Sequence, residues 1–310
     1  MVATRRLDAL SHSVAERLDL PGAPWVIALS GGADSATLAW LTSRLGPIRA
    51  VHVHHGWPAS DALERAARAV AAALTVPIEV RKVVPDKFNE NEARELRYRA
   101  LRSAVGDRDW LLTGHTADDQ AETVLAHLLR GSGIEGLAGI PARRGNIARP
   151  MLSITRSETR EIATLACLPW MDDPTNDDLG PLRNRIRLQL IPHLEAEFNP
   201  ALRRHLAVAA RAISESNVIG SEVGEAIDGG WRVPSGVLWA MGRGQAVRSV
   251  RPVVRRLRAG YGLDQGEAGR FWKVVAGLAE AAELAGGLRV ERSGPWLQIS
   301  RRTNGPPPDG

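Results

Sequence analysis

Cysteine is almost absent: the 310 residues hold one, Cys167 in "EIATLACLPW". A single thiol can close no internal disulfide and form no Cys-x-x-Cys pair, which argues against sulfur-relay chemistry and cysteine-held iron–sulfur clusters. On an apolar helical face Cys167 is expected to be buried and inert. Long apolar runs are missing too. No stretch reaches the roughly 18 to 20 residues that a membrane span needs. The opening "MVATRRLDALSHSVAERLDL" mixes charged and apolar residues at helical spacing and lacks the uninterrupted apolar core of a secretory signal. The expectation is a cytoplasmic chain with no membrane partner. Lysine is scarce as well, 37 of the 40 basic residues being arginine.

The remaining composition is globular, with 44% hydrophobic and 24% charged residues. The length suits roughly two domains, each with its own core. Net charge is +5, and it is unevenly placed: residues 201–310 carry 16 Lys or Arg against 10 Asp or Glu, whereas residues 1–200 carry 24 against 25. A basic C-terminal part joined to a neutral one suggests an accessory domain that meets a polyanion.

In the first half, apolar β-rich runs ("PWVIAL", "IRAVHVHH", "PIEVRKVV", "DWLLTG") alternate with helical patterns that begin near Asp34, Ser60, Asn89 and Thr116. This predicts an α/β fold, a parallel sheet with helices on both faces. Ligands of such sheets sit at the carboxyl ends of the strands. Past Arg130, "GSGIEGLAGIPARRGNIARP" reads as loop, "TRSETREIATLACL" as helix and "RNRIRLQLIPHLEAEF" as helix. The expected division is a catalytic domain over 1–200 and a smaller, mostly helical, basic domain over 201–310. In the latter, "ALRRHLAVAARAISESNVIGSEVGEAI", "GRGQAVRSVRPVVRRLRAGYG" and "GEAGRFWKVVAGLAEAAEL" read as helices and "GLRVERSGPWLQISRR" as a terminal hairpin. A tail from about residue 303 is expected to be disordered.

The segment "VIALSGGADSATLAWL" ends a strand in a glycine turn and opens a helix. Backbone N–H groups and the positive end of a helix dipole converge there, a geometry that binds phosphate. Gly31 and Gly32 let the backbone approach an anion, Ala33 starts the helix, and Ser30 and Ser35 offer hydroxyls. The usual phosphate loop places a lysine next to its last Ser or Thr. Here no lysine follows and Asp34 adds negative charge, which suits a site where Mg²⁺ lies between carboxylate and phosphates.

Ser-Gly-Gly-x-Asp-Ser after a first strand resembles the signature of the PP-loop ATP pyrophosphatases, which implies ATP as substrate, attack at the α-phosphate and release of diphosphate. "GHTADDQAETVLAHLLRGSGIEGLAG", "RPMLSITRSETREIA" and "DDPTNDDLGPLRNRIRLQLIPHL" resemble segments of one branch, the tRNA(Ile)-lysidine synthetases, in their short form. The resemblance implies that ATP adenylates the C2 carbonyl of the wobble cytidine of a CAU-anticodon tRNA(Ile), after which the ε-amine of free lysine displaces AMP. On a helix, Asp119 and Glu122 share a face while Asp118 and Gln120 point elsewhere. Asp119 and Glu122 are candidates for gripping lysine or a metal, and His115 for polarising a phosphate or the transition state. The resemblance places "AVHVHHG" beside adenine, with His54 as the candidate contact, His55 an equal alternative and His52 a structural histidine. Arg94 or Arg97 is a candidate for the lysine carboxylate or a phosphate. Arg183, Arg185 and Arg187 in "RNRIR", and Arg255 and Arg256 with Arg258 in "RSVRPVVRRLR", are candidate contacts to the RNA backbone. The chain is expected to act as a monomer or homodimer. A PP-loop thiolase, an ammonia-dependent amide synthetase and a non-catalytic ATP- and RNA-binding module are the competing readings.

Overall fold

The chain begins with helix α1 (Val2–Ala15) and then alternates: β1 (Trp25–Ala28), α2 (Ala33–Ser43), β2 (Ile48–His54), α3 (Ser60–Ala73), β3 (Ile78–Lys82), α4 (Glu90–Ser103), β4 (Trp110–Thr113), α5 (Ala117–Leu129). All four strands and their helices lie where the apolar periodicity puts them. This computed structural model describes residues 2–57, 59–83, 90–218, 223–258 and 262–301. It divides into two compact units, Met1–Ser214 and Glu215–Gly310.

After α5 the first unit continues with α6 (Ile134–Leu137), the short hairpin β5 (Arg143–Arg144) and β6 (Ile147–Ala148), and α7 (Arg156–Leu165). Beyond α7 a 3₁₀ turn, Pro174–Asp177, leads to α8 (Leu182–Arg185), a π segment, Ile186–Leu190, and α9 (Ile191–Glu197). α10 (Leu202–Val218) follows.

The sheet order is β3-β2-β1-β4-β6-β5, and every pair is parallel except β5 with β6. Strand alternation sends side chains to two cores. Ile27, Ala50 and Leu112 pack with Val14, Leu38, Val70 and Ile162 of α1, α2, α3 and α7, while Val26, Val51 and Leu111 pack with Leu101 of α4. Helices therefore cover both faces. Strand order reverses at β1, whose neighbours are β2 and β4, so the loops after β1 and β4 emerge side by side.

Two local expectations fail in this unit, and a third, the helix after Pro181, is met with a local irregularity. The stretch read as loop after Arg130 contains α6 and the β5–β6 hairpin, because strands of two residues are too short to show a period. The helix of "RNRIRLQLIPHLEAEF" passes through a π segment just ahead of Pro192, whose missing N–H breaks the regular ladder. Cys167 is exposed, not buried. It stands past the end of α7 at φ 52, where the N–H of Leu168 closes back on the carbonyl of Ala163, a Schellman-type stop that turns the side chain out of the helical face.

The second unit holds β7 (Glu225–Ile227), β8 (Gly230–Pro234), α11 (Ser235–Arg258, two helical stretches meeting at a kink at Gly242), α12 (Gln265–Val275), β9 (Ala281–Leu284), β10 (Leu288–Ser293) and β11 (Trp296–Arg301). Its strands form an antiparallel sheet in the order β7-β8-β11-β10-β9. Phe271, Val250 and Val254 of the helices pack on Val290, Leu297 and Ile299. The expected terminal hairpin is β10–β11, but the sheet is larger than a mostly helical reading allows. The Ala-rich "AEAAEL" leaves the helix at Gly277 (φ 71) and pairs with β10, Ala281 opposite Glu291, so tertiary pairing overrides helix propensity. Likewise, of the long helical pattern from Ala201, Leu202–Val218 is helix and Glu225–Ile227 is strand. The tail from residue 303 lies outside the described residues. Among the described residues no helix is long and apolar enough to cross a membrane.

Candidate active site

The turn after β1 is built for close approach. Gly31 sits at φ 95, and a Cβ there would lie 2.5 Å from the Leu63 carbonyl oxygen, so only glycine fits. Gly32 is the extended residue before α2. The Ser35 hydroxyl accepts the Ser30 N–H at 3.1 Å, donates to the Gly32 carbonyl at 3.0 Å and lies 3.0 Å from the Ser30 hydroxyl. The two serines thus fix the loop while the first-turn N–H groups of Ala33, Asp34 and Ser35, free of intrahelical partners, are left for an anion. Gly114, after β4, packs against that turn: a Cβ there would be 3.0 Å from the Ser35 nitrogen.

Ser30, Gly32, Ala33, Asp34 and Ser35 line a cavity of about 350 Å³ together with His52, His55, Arg97, His115, Asp119, Arg156, Arg160 and Arg187. Its far wall, Met171 to Asp173 with Asn176, is tied to the loop by the Met171 N–H donating to the Gly31 carbonyl at 3.1 Å.

One guanidinium organises the charges. Arg156, at the start of α7 behind a Thr155–Glu158 capping box, meets Asp34 Oδ2 at 3.4 Å, Asp119 Oδ1 at 3.2 Å and Glu122 Oε1 at 3.3 Å. Its backbone N–H also donates to Asp118 Oδ2 at 2.8 Å. Arg183 adds a second clamp, Nη2 to Asp119 Oδ1 and Nε to Glu122 Oε2, both at 2.8 Å. Asp118 faces the other way, to Arg203 at 3.1 Å, and Gln120 bonds both polar groups of the Ile140 backbone.

Burial pushes the Asp34 carboxyl up to about 6, outweighing Arg156 and the hydroxyl of Thr159, which donates to its other oxygen. Asp119 has the same burial working against it, yet Arg156, His115 and Arg183 hold it down at about 2. Burial lowers His115 to about 3 and His55 to about 4, so both imidazoles are neutral near pH 7. Buried carboxyls shifted in opposite directions around one arginine, in a cavity, are the pattern of a candidate site of chemistry.

The structure brings together the loop residues Ser30 to Ser35, His115 and Asp119. Glu122 is 2% exposed and stands behind Asp119, paired with two arginines, outside the cavity wall. His54 also lies outside that wall: its Nε2 meets Asp61 Oδ1 at 2.9 Å, and His52 and His55 line the cavity instead. Arg97 lines it, whereas Arg94 is exposed over the Tyr98 ring at 5.2 Å. Arg183 and Arg187 turn inward, Arg187 bonding Asn176 at 2.9 Å, while Arg185 is exposed. In the second unit Arg255 and Arg256 are exposed, Arg256 over the Trp231 ring at 5.2 Å. Arg258 is no part of that surface: it is fully buried and paired with Glu267. Arg156 is the residue that sequence reasoning missed; it lies in "TRSETREIA", a stretch matched for its pattern without a role for its first arginine.

A PP-loop domain model matches residues 3–194, which makes the class plain: this is a PP-loop protein, and its cavity is formed by the signature loop. In fold the chain is similar to the U34-tRNA thiolase of Methanococcus maripaludis, with a TM-score of 0.56 and 16% identity over 67% of this chain and 78% of that one. It is 39% identical over 318 residues to the tRNA(Ile)-lysidine synthase of Salinispora tropica, covering 94% of each chain. It is also 39% identical over 214 residues to the enzyme of that name in Pseudomonas fluorescens, covering 65% of this chain; the chain spans about half, 48%, of that relative's length. The chain belongs to the tRNA(Ile)-lysidine synthase family.

Proposed function

We propose that the chain is a cytoplasmic ATP-dependent ligase that adenylates the C2 carbonyl oxygen of the wobble cytidine in a CAU-anticodon tRNA(Ile), then joins the ε-amine of free lysine at that carbon. The products are lysidine, AMP and diphosphate. The observation that carries this reading is the single guanidinium of Arg156 joining Asp34, beside the anion loop, to Asp119 and Glu122 in α5, the helix that follows β4. The loop, Asp34 and Asp119 line one cavity, as a reaction with an adenylated intermediate and an incoming cation requires.

The first-turn N–H groups of α2 hold the β- and γ-phosphates and take up the charge that develops as diphosphate leaves. Asp34 fits as a Mg²⁺ ligand: it is a hard oxygen donor at the anion loop, and Mg²⁺ is commonly held by one or two carboxylates plus substrate phosphates. No cluster of three ligating side chains is needed, and none occurs among the described residues. Mg²⁺, when bound, supplies charge neutralisation on the phosphates. Neutral His115 is a hydrogen-bond donor or acceptor for the transferring phosphate but not a cation. Asp119, fully ionised at neutral pH, attracts the lysine ammonium and orients it, and Glu122 holds Arg156 and Arg183 in place around it. Arg97 faces the cavity for a carboxylate or phosphate; Arg185, Arg255 and Arg256 offer phosphate contacts.

Diphosphate release measured with ATP, Mg²⁺ and CAU-anticodon tRNA, lysine omitted, tests the adenylation step. It is expected to depend on the RNA. Release driven by ammonia without RNA supports an amide synthetase instead.

A further inference from the structure

The proposed chemistry leaves a pair of tryptophans in the second unit unused. Trp239 of α11 and Trp272 of α12 stack with ring centroids 5.4 Å apart and planes 10° from parallel. Trp272 is half-buried, whereas Trp239 is 57% exposed. Other indoles of this unit are capped by arginines of the chain itself: Arg256 lies over Trp231 at 5.2 Å and Arg232 over Trp296 at 4.7 Å. No guanidinium among the described residues is placed over Trp239 in this way. Leaving more than half of an indole in water forfeits hydrophobic free energy. The pair is therefore a two-ring stack whose exposed member, Trp239, has surface left for a third planar ring.

The surroundings are cationic. Exposed Arg243 reaches toward α12, its Nη2 3.6 Å from where a Cβ would stand on Gly269, three residues before Trp272 and on the same helix face. Residues 201–310 as a whole carry the chain's positive surplus. An exposed indole with an arginine on the same side of α12 as its stacking partner matches a nucleotide, base on the ring and phosphate on the guanidinium, better than it matches an apolar protein surface.

We propose that Trp239, backed by Trp272, is a stacking platform for one unpaired base of the RNA substrate, with Arg243 on an adjoining phosphate. The proposal rests on the reading of the chain as a tRNA-modifying enzyme. Unpaired bases occur in the anticodon loop and at the 3′ end of a tRNA, and both offer the same chemistry.

Trp239→Leu keeps apolar bulk and removes the aromatic face; Trp239→Phe keeps a face. Titrating full-length protein with CAU-anticodon tRNA, the Leu variant is expected to bind about tenfold more weakly, and the Phe variant within about threefold of the parent. The slope of affinity against salt should stay unchanged, since a stacked base releases no counterion. An isolated anticodon stem-loop, and a tRNA trimmed of its unpaired 3′ nucleotides, separate the two sources: the loss follows the RNA that carries the stacked nucleotide. Parent affinity in the Leu variant overturns the proposal, as does an equal loss in both variants or a full loss on blunt double-stranded RNA. A change in oligomeric state with tRNA affinity intact also overturns it, by assigning the face to a second copy. If the parent incorporates lysine while the Leu variant binds normally, the platform alone falls. If the parent incorporates none and the Leu variant still loses RNA affinity, the enzymatic reading falls and the platform stands.

Discussion

Asp34 and Asp119 are bound by the same arginine, and the proposed function gives them different steps. Asp34→Ala removes the acidic group at the anion loop and is expected to abolish diphosphate release. Asp119→Ala should still permit adenylation but slow lysine transfer, with KM for lysine rising at least about tenfold, the loss of roughly one charged contact. Quench-flow with labelled ATP and labelled lysine separates the two steps; equal loss of both in the two variants contradicts the division. Asp34 also reports on stability. Its carboxyl binds a proton more tightly in the folded chain, about 6, than at its ordinary value of 3.8. Ionising it therefore destabilises the fold as pH rises from about 4 to about 6, by about 3 kcal/mol at 1.36 kcal/mol per unit, and the cost is complete above about pH 7. Asp34→Asn removes that cost. Urea denaturation should give the variant no advantage near pH 3.5 and a growing one up to about pH 7; a pH-independent gap contradicts the burial argument.

At the scale of elements, Arg258 and Glu267 join α11 to α12 inside the second unit. Burial raises the Glu267 carboxyl, but Arg258 and the N–H groups of Asp264 and Ala285 more than reverse this and hold it at about 2. Glu267→Gln leaves Arg258 without its anion and is expected to destabilise the unit by about 3 kcal/mol, measured as a lowered denaturation midpoint. In the parent, this contribution is present above the ordinary carboxylate value of 4.5 and is lost as pH falls toward 2. Sequence patterning made the parallel sheet readable, because Val26, Ile27, Leu111 and Leu112 are buried on both faces and announce themselves as apolar runs. It made the anion loop readable because Gly31 and Gly32 stand between an apolar run and a helical pattern with no lysine following. It could not reveal Arg156, since that side chain reaches Asp34, 122 positions away in the chain, through the packing of α7 on the sheet. Arg258 misled for the converse reason: a basic run looks the same whether each guanidinium faces water or a buried carboxylate.

For the molecule as a whole, the proposed function places catalysis in the unit that carries the cavity and RNA contact on the basic unit. Reversing Arg255 and Arg256 to glutamate should weaken tRNA binding whatever its sequence and lower the salt slope by about 1 to 2, without altering the adenylation of RNA already bound at saturation. Filter binding over a salt series reads this; an unchanged slope removes these two residues from the interface. The most direct measurement of the central claim is transfer of labelled lysine, with ATP and Mg²⁺, to an isoleucine tRNA bearing CAU. The account predicts ATP-dependent, alkali-stable label at the wobble cytidine, one lysine for each AMP released. ATP turnover without RNA and no label in the tRNA would contradict it.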